Sequence, residues 1–233
     1  MPSSVKMPAL FLAAGPAELG QETSRYGEFV RSLNVRLPKP AAIVLATAEW
    51  ESPSQRIASE AGVAGLVLGL DIQDRLAADS IRAELLDLEP HDLAGKQLPA
   101  AGGANALLGI INPAPNVPTA LLSVNPRLVP EEHYRIGRAL QGLRERGVLV
   151  IGSGSIPAGP GDLLWSEWMH EQMQLWHTEA LFDYERRAPV LPPQAALAPL
   201  LFCMGAADDN PQCRRLYQEA DYRGRHINAW RFG

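Results

Sequence analysis

Residues 119 to 154 read TALLSVNPRLVPEEHYRIGRALQGLRERGVLVIGSG. Thr119 to Val124 (TALLSV) and Gly147 to Gly152 (GVLVIG) are short, apolar on successive residues and bounded by turn formers. That is the pattern of strands covered on both faces. Between them lie the marks of a helix running from Pro130 to Arg146. Proline stands at its first position, Glu131 and Glu132 in the first turn, Arg144 and Arg146 in the last, and Gly147 just beyond. Ile136, Leu140 and Leu143 give it a core face. Strand, helix, strand in this order requires a crossover connection, which joins parallel strands of one sheet. The stretch by itself predicts an α/β fold.

The same grammar extends outward in both directions. Ala9 to Ala14 (ALFLAA) and Ala41 to Thr47 (AAIVLAT) are further apolar runs of strand type. Tyr26, Phe29, Val30 and Leu33 recur at helical spacing between them and predict a helix over 22–34. Leu76, Ile81, Leu85 and Leu86 predict another over 74–88. After Pro160 a long helix is expected, with Trp165, Met169, Met173, Trp176 and Ala180 on one stripe, then a helix over 193–205 and a last strand over 225–232. Neither an internal repeat nor a linker divides the chain. We therefore expect residues 1–233 to form a single three-layer α/β domain, with a largely parallel or mixed central sheet and helices on both faces.

Composition narrows the function classes. With 233 residues, 46% hydrophobic and 20% charged, the chain is long and apolar enough for a sizeable core. A formal charge of −5 argues against a nucleic-acid partner, which calls for basic neutralisation of phosphates. No apolar run reaches the roughly 18 residues of a membrane span, and the N-terminus lacks the order of a signal peptide, so no membrane partner and a cytoplasmic location are expected. Cys203 and Cys213 form no Cys-x-x-Cys pattern and read as reduced packing residues.

Several motif-like stretches fail on their chemistry. Gly15 to Glu22 (GPAELGQE) has phosphate-loop glycine spacing, but Gln21 and Glu22 stand where Lys and Ser/Thr would touch phosphate and magnesium. Gly152-Ser153-Gly154-Ser155-Ile156-Pro157 follows a strand as a dinucleotide fingerprint does, yet Pro157 replaces the third glycine. It reads instead as a tight turn lining a pocket, with Ser153 and Ser155 as turn serines. His170 and His177, seven apart on one expected helix, would be about 10 Å apart along its axis, too far for one metal. His91 and His133 read as surface residues without a catalytic partner.

A set of segments, taken together, points to a family. MPALFLAAG (7–15), LPKPAAIVLATAEWES (37–52), LLSVNPRLVPEEHYRIGRAL (121–140), GVLVIGSGS (147–155), RRAP (186–189) and AWRFG (229–233) resemble, in wording and order, the DOPA-type class III extradiol dioxygenases. The resemblance covers nearly the whole chain, with a shortened and diverged middle region after Trp50. It implies an α/β fold and an ancestral ring-opening chemistry. In that chemistry neutral histidines hold a non-haem ferrous or zinc-type ion, leaving positions open for a catecholate and dioxygen.

The matched positions carry other residues. Where the family has His-Gly after the first strand, this chain has Ala14-Gly15. Ala-His-Trp after the second strand is Ala48-Glu49-Trp50, and Asp-His-Gly before the middle helix aligns with Ala101-Gly102-Gly103. Ser-Thr-His-Asn becomes Ile156-Pro157-Ala158-Gly159, and a late Glu-His pair becomes Ala195-Ala196. The resemblance thus implies a pocket at Ala14, Glu49, Gly102, Ala158 and Ala196, either enlarged and apolar or collapsed, with no metal and no cofactor. Trp50, Asn105 and Ser155 are further pocket candidates. Glu49 is the one remaining potential ligand, and in such a cleft it needs a donor. His226 on the last strand is the first candidate, which would make Glu49 and His226 an acid–base couple.

Three readings follow. The first is a non-catalytic homologue, either a binder of an aromatic or other small molecule or the silent subunit of an active homologue. The second is a metal-independent enzyme using Glu49 and His226. The third is a ring-opening dioxygenase with relocated ligands, which the scattered positions of His91, His133, His170, His177 and His226 favour least.

Overall fold

The four apolar runs become adjacent parallel strands at the centre of one sheet. The computed structural model describes residues 6–13, 19, 24–59, 62–86, 102–113, 116–154, 162–191, 194–220 and 226–233. In chain order the strands are β1 (Ala9–Ala13), β2 (Ala42–Glu51), β3 (Gln55–Ser59), β4 (Ala83–Leu86), β5 (Thr119–Val124), β6 (Val148–Gly154), β7 (Cys213–Ala220) and β8 (His226–Phe232). The helices are α1 (Arg25–Arg36), α2 (Val63–Ala78), α3 (Gly102–Ile111), α4 (Pro130–Ala139), α5 (Asp162–Gln174), α6 (Thr178–Phe182), α7 (Tyr184–Arg187) and α8 (Gln194–Ala206).

The strands form an eight-stranded sheet in the order β4-β3-β5-β2-β6-β1-β8-β7. Strands β5, β2, β6 and β1 run parallel, whereas β3 joins β5 and β8 joins β1 antiparallel, so the sheet is mixed. Alternation along the central strands sorts the core into two halves. Ala42, Val44 and Ala46 of β2 face α4, α5 and α8, while Ile43 and Leu45 face α1 and α3. Helices on both sides give the three layers expected.

Glycines set how closely α8 approaches. A Cβ on Gly152 of β6 would lie 2.2 Å from the Pro199 carbonyl oxygen. Between α4 and α8 the contact is reciprocal: a Cβ on Gly137 would lie 2.0 Å from Phe202 O, and one on Gly205 2.0 Å from Tyr134 O. Gly152 to Gly154 is therefore strand, not the tight turn that its composition suggests, and its glycines make room for a helix backbone.

Other expectations are corrected at particular residues. The helix expected over 74–88 is the end of α2 followed by β4. Ser80 at φ 62° breaks it, and the Leu76-to-Leu85 spacing arises because α2 packs over the strand that follows. The helix from Pro130 is α-helical only to Ala139 and tightens into a 3₁₀ turn over Gln141–Arg146. The long stripe after Pro160 breaks at Trp176, φ 54°, so His170 and His177 do not share a helix. His133 is not a surface residue: it is 4% exposed, facing the sheet from the first turn of α4. Among the described residues no helix is long and apolar enough to cross a membrane.

Candidate functional site

The carboxyl ends of β5, β2, β6 and β1 lie along one edge of the sheet, where open α/β proteins bind ligands. Strand β2 is irregular there. Ala46 pairs with Leu122 and Glu51 with Val124, so five steps along β2 accompany two along β5. This bulge lifts Ala48-Glu49-Trp50 out of the ladder. The Glu49 backbone N–H donates to Thr47 Oγ1 at 3.2 Å. The half-buried Glu49 side chain turns toward α3, where Oε2 accepts the Ala104 backbone N–H at 2.8 Å. Glu49 thus caps the first turn of a helix distant in sequence. A carboxylate there satisfies an orphan N–H and opposes the positive end of the helix dipole. Trp50, 8% exposed, joins Ala104, Leu107 and Leu108 in the core beneath.

The expected partner of Glu49 is not the one found. His226 opens β8, which is separated from β2 by β6 and β1, so three strand spacings, about 14 Å of sheet, lie between them. The two also address different layers. By its position in β8 His226 shares a strand face with Trp230 and Phe232, which pack on the α5 and α8 side, whereas Glu49 bonds to α3 on the other. Three strand spacings therefore separate the two residues expected to form an acid–base couple.

Of the other matched positions, Gly102 begins α3 two residues before Ala104, so it does lie beside Glu49. Ala196 lies on the opposite layer. Its carbonyl oxygen is 3.1 Å, and Ala48 Cβ 3.6 Å, from where a Gly154 Cβ would be. Phe11, Trp165, Met169, Ala196, Leu200 and Trp230 line an apolar crevice there. Its free volume of about 10 Å³ is at the lower limit for one water. Asn105 follows Ala104 on α3, half-buried. Ala14, Ala158 and Ser155 lie outside the described residues.

Two side chains near this edge escaped sequence reasoning. Ser153, read as a turn serine, is fully buried on β6 in register with Leu12 and Thr47, and its hydroxyl has no hydrogen-bond partner among the described residues. His133 packs in a small cavity with Ala46, Ser123, Pro199 and Phe202. Burial pushes its imidazole down to about 4, against a smaller opposing effect of a hydrogen bond to the Asn125 backbone. Periodicity could have placed His133 inward, since it lies three residues before the core residue Ile136.

Among the described residues the donor set does not fit the metal that the family resemblance implies. Among the described residues no three His, Cys, Asp or Glu side chains come together as a metal site. Glu49 is engaged with α3, and Gly102 and Ala196 offer no side-chain donor. His91 lies outside the described residues. A wider recess of about 940 Å³ opens elsewhere, bordered by Gln55, Gln73, Arg82, Glu132 and Arg135, and does not include Glu49.

Comparison with known proteins agrees with this architecture. The chain is 29% identical over 166 residues to a 4,5-DOPA dioxygenase extradiol of Beta vulgaris, covering 64% of this chain and 59% of that protein. It is 30% identical over 122 residues to the protein so named of Mirabilis jalapa, covering 46% of each, and 24% identical over 255 residues to that of Portulaca grandiflora, covering 92% and 91%. These similarities support the extradiol dioxygenase family. The first two alignments span only about half of those proteins' length. No family model matches the chain. An uncharacterized protein of Escherichia coli K12 has the same fold, with a TM-score of 0.79 at 20% identity over 97% of this chain and 100% of that one. The shared fold thus extends over nearly the whole chain, and the chemistry of the site rests on its own residues.

Proposed function

We propose that this chain is an extradiol dioxygenase homologue that does not carry out the family's metal-dependent ring opening. In this reading it is a non-catalytic protein that binds an aromatic or other small molecule, or that serves as the silent subunit of an active homologue, in the cytoplasm and without nucleic acid or membrane as partner. One observation carries the reading. Glu49, the only potential ligand among the matched positions, is bonded to the Ala104 N–H at 2.8 Å and acts as a helix cap. A single carboxylate, already engaged, is a poor holder of ferrous iron against water and competing metals. The absence of donor side chains at Ala14, Gly102, Ala158 and Ala196 supports the same conclusion.

Metal analysis of the purified protein, together with oxygen uptake in the presence of DOPA, catechol or protocatechuate, tests this. The expected outcome is no stoichiometric iron or zinc and no uptake above buffer. Metal near one equivalent with metal-dependent ring opening would overturn it in favour of relocated ligands.

A further inference from the structure

Helix α2 has an unusual solvent face. Its inner side, Gly65, Leu68, Gly69, Ile72 and Leu76, packs on the sheet. Gly69 allows the close approach, since a Cβ there would lie 2.7 Å from Leu85 Cδ1. The exposed positions within the helix are Val63, Ala64, Leu66, Val67, Leu70, Asp74, Ala77 and Ala78, and Asp74 is the only polar residue among them. Val63 is 80% exposed, Leu66 51%, Val67 57% and Leu70 43%. A helix apolar on both sides normally lies between two protein surfaces. Val63, Leu70 and Ala77 recur at seven-residue intervals with Leu66 three after Val63, the seam of a paired helix.

We propose that this face binds a second copy of the chain, with the two α2 helices antiparallel about a two-fold axis passing between Val67 and Leu70. Charge complementarity selects this occupant. Among the described residues the α2 N-terminus receives no side-chain cap: its N-cap is Gly62, at φ 105°, and its first turn holds no acidic residue. Asp74 lies eleven residues, about three turns, beyond Val63 on the same stripe. In the antiparallel pair, position 74 of each copy faces position 63 of the other. Each Asp74 then meets the first turn of its partner, and the two-fold axis makes the contact twice. Elsewhere two copies of charge −5 repel, so a nearly uncharged face is where they can approach. An anionic membrane is a poor competitor, because the stripe carries an acid and no Lys or Arg.

The expected strength follows from size. Sixteen residues make a helix about 24 Å long, and a strip about 10 Å wide gives a footprint of roughly 250 Å² per copy. Stable interfaces bury about 800 Å² per partner, so this dimer is weak and is expected only toward the top of the accessible concentration range.

Sedimentation of the full chain from about 1 µM to about 1 mM tests the proposal. The expected result is a weight-average mass that rises with concentration toward twice 25.3 kDa. Leu66→Glu should stay monomeric throughout with its melting temperature unchanged, and Asp74→Arg should weaken association about tenfold. A wild-type chain that is monomeric at the highest concentration overturns the proposal. So does a Leu66→Glu variant that melts far below wild type, because the face would then belong to the chain's own packing. Asp74→Arg without effect on association overturns the antiparallel arrangement.

Discussion

The two layers that meet the carboxyl edge of the sheet treat it in opposite ways. On the α3 side the edge is polar and partly open: Glu49 reaches a helix N–H, and the Thr47 and Ser153 hydroxyls lie beneath it. On the α8 side it is closed by backbone. Gly152 and Gly154 bring the helix onto the strands, and the remaining crevice of about 10 Å³ is walled by Phe11, Trp165 and Trp230. The two sides use their residues differently. Glu49 is a polar side chain engaged in holding a helix. Ala196 is a small residue whose backbone packs against the strand. The first leaves a site that ligands can still approach, whereas the second leaves core.

The largest effect should come from breaking the closed side. Gly152→Val places side-chain atoms where a Cβ already meets Pro199 O at 2.2 Å and Cys203 Sγ at 2.7 Å. Helix backbone cannot yield as a flexible side chain can, so a loss of about 4 kcal/mol or more is expected, seen as failure to fold or a collapse of the urea midpoint. A folded Gly152→Val variant of near wild-type stability would mean that α8 is more loosely seated than its contacts imply.

A smaller effect should separate the layers by pH. His133 is nearly buried against α8, and its imidazole is pushed down to about 4 from an ordinary value near 6.5. The unfolded chain therefore takes up a proton at this residue more readily than the folded one between those values. Its contribution is fully present above pH 6.5 and is lost as the pH falls toward 4, to a limit of about 3 kcal/mol. Denaturant unfolding at pH 7, 5.5 and 4.5 should show the fall, and His133→Gln should flatten it. An unchanged slope in that variant would assign the acid sensitivity to other groups.

These contrasts also mark what the chain makes legible in advance. The central strands are readable because they are covered on both faces and so are apolar on successive residues, as in TALLSV and AIVLAT. The edge strands are not. In β7 (CRRLYQEA) polar residues are as many as apolar ones, and β4 (AELL) is too short to show a period, so its leucines merge with the helical pattern of α2. At the site, sequence position correctly carries Glu49 to the carboxyl edge, because the strand before it is unmistakable. Its partner was not legible, since backbone N–H groups have no letter of their own. The choice of His226 follows from looking only at side chains.

The smallest effect concerns Glu49 itself and decides what kind of residue it is. As a cap, it satisfies the Ala104 N–H and faces the positive end of α3. Glu49→Ala removes both contributions and should cost about 1 kcal/mol in urea unfolding at pH 7. Glu49→Gln keeps a carbonyl oxygen that can accept the same N–H and loses only the charge, so roughly half of that cost is expected, shrinking further in high salt. A residue retained for chemistry behaves in the reverse sense. An acid held in a cleft against its own electrostatics destabilises the fold, and neutralising it raises stability while activity is lost. The sign of the Glu49→Gln change therefore separates the open side of the edge from a working site. A loss of a few tenths of a kcal/mol makes Glu49 a structural cap, whereas a gain would return it to the chemistry of the cleft.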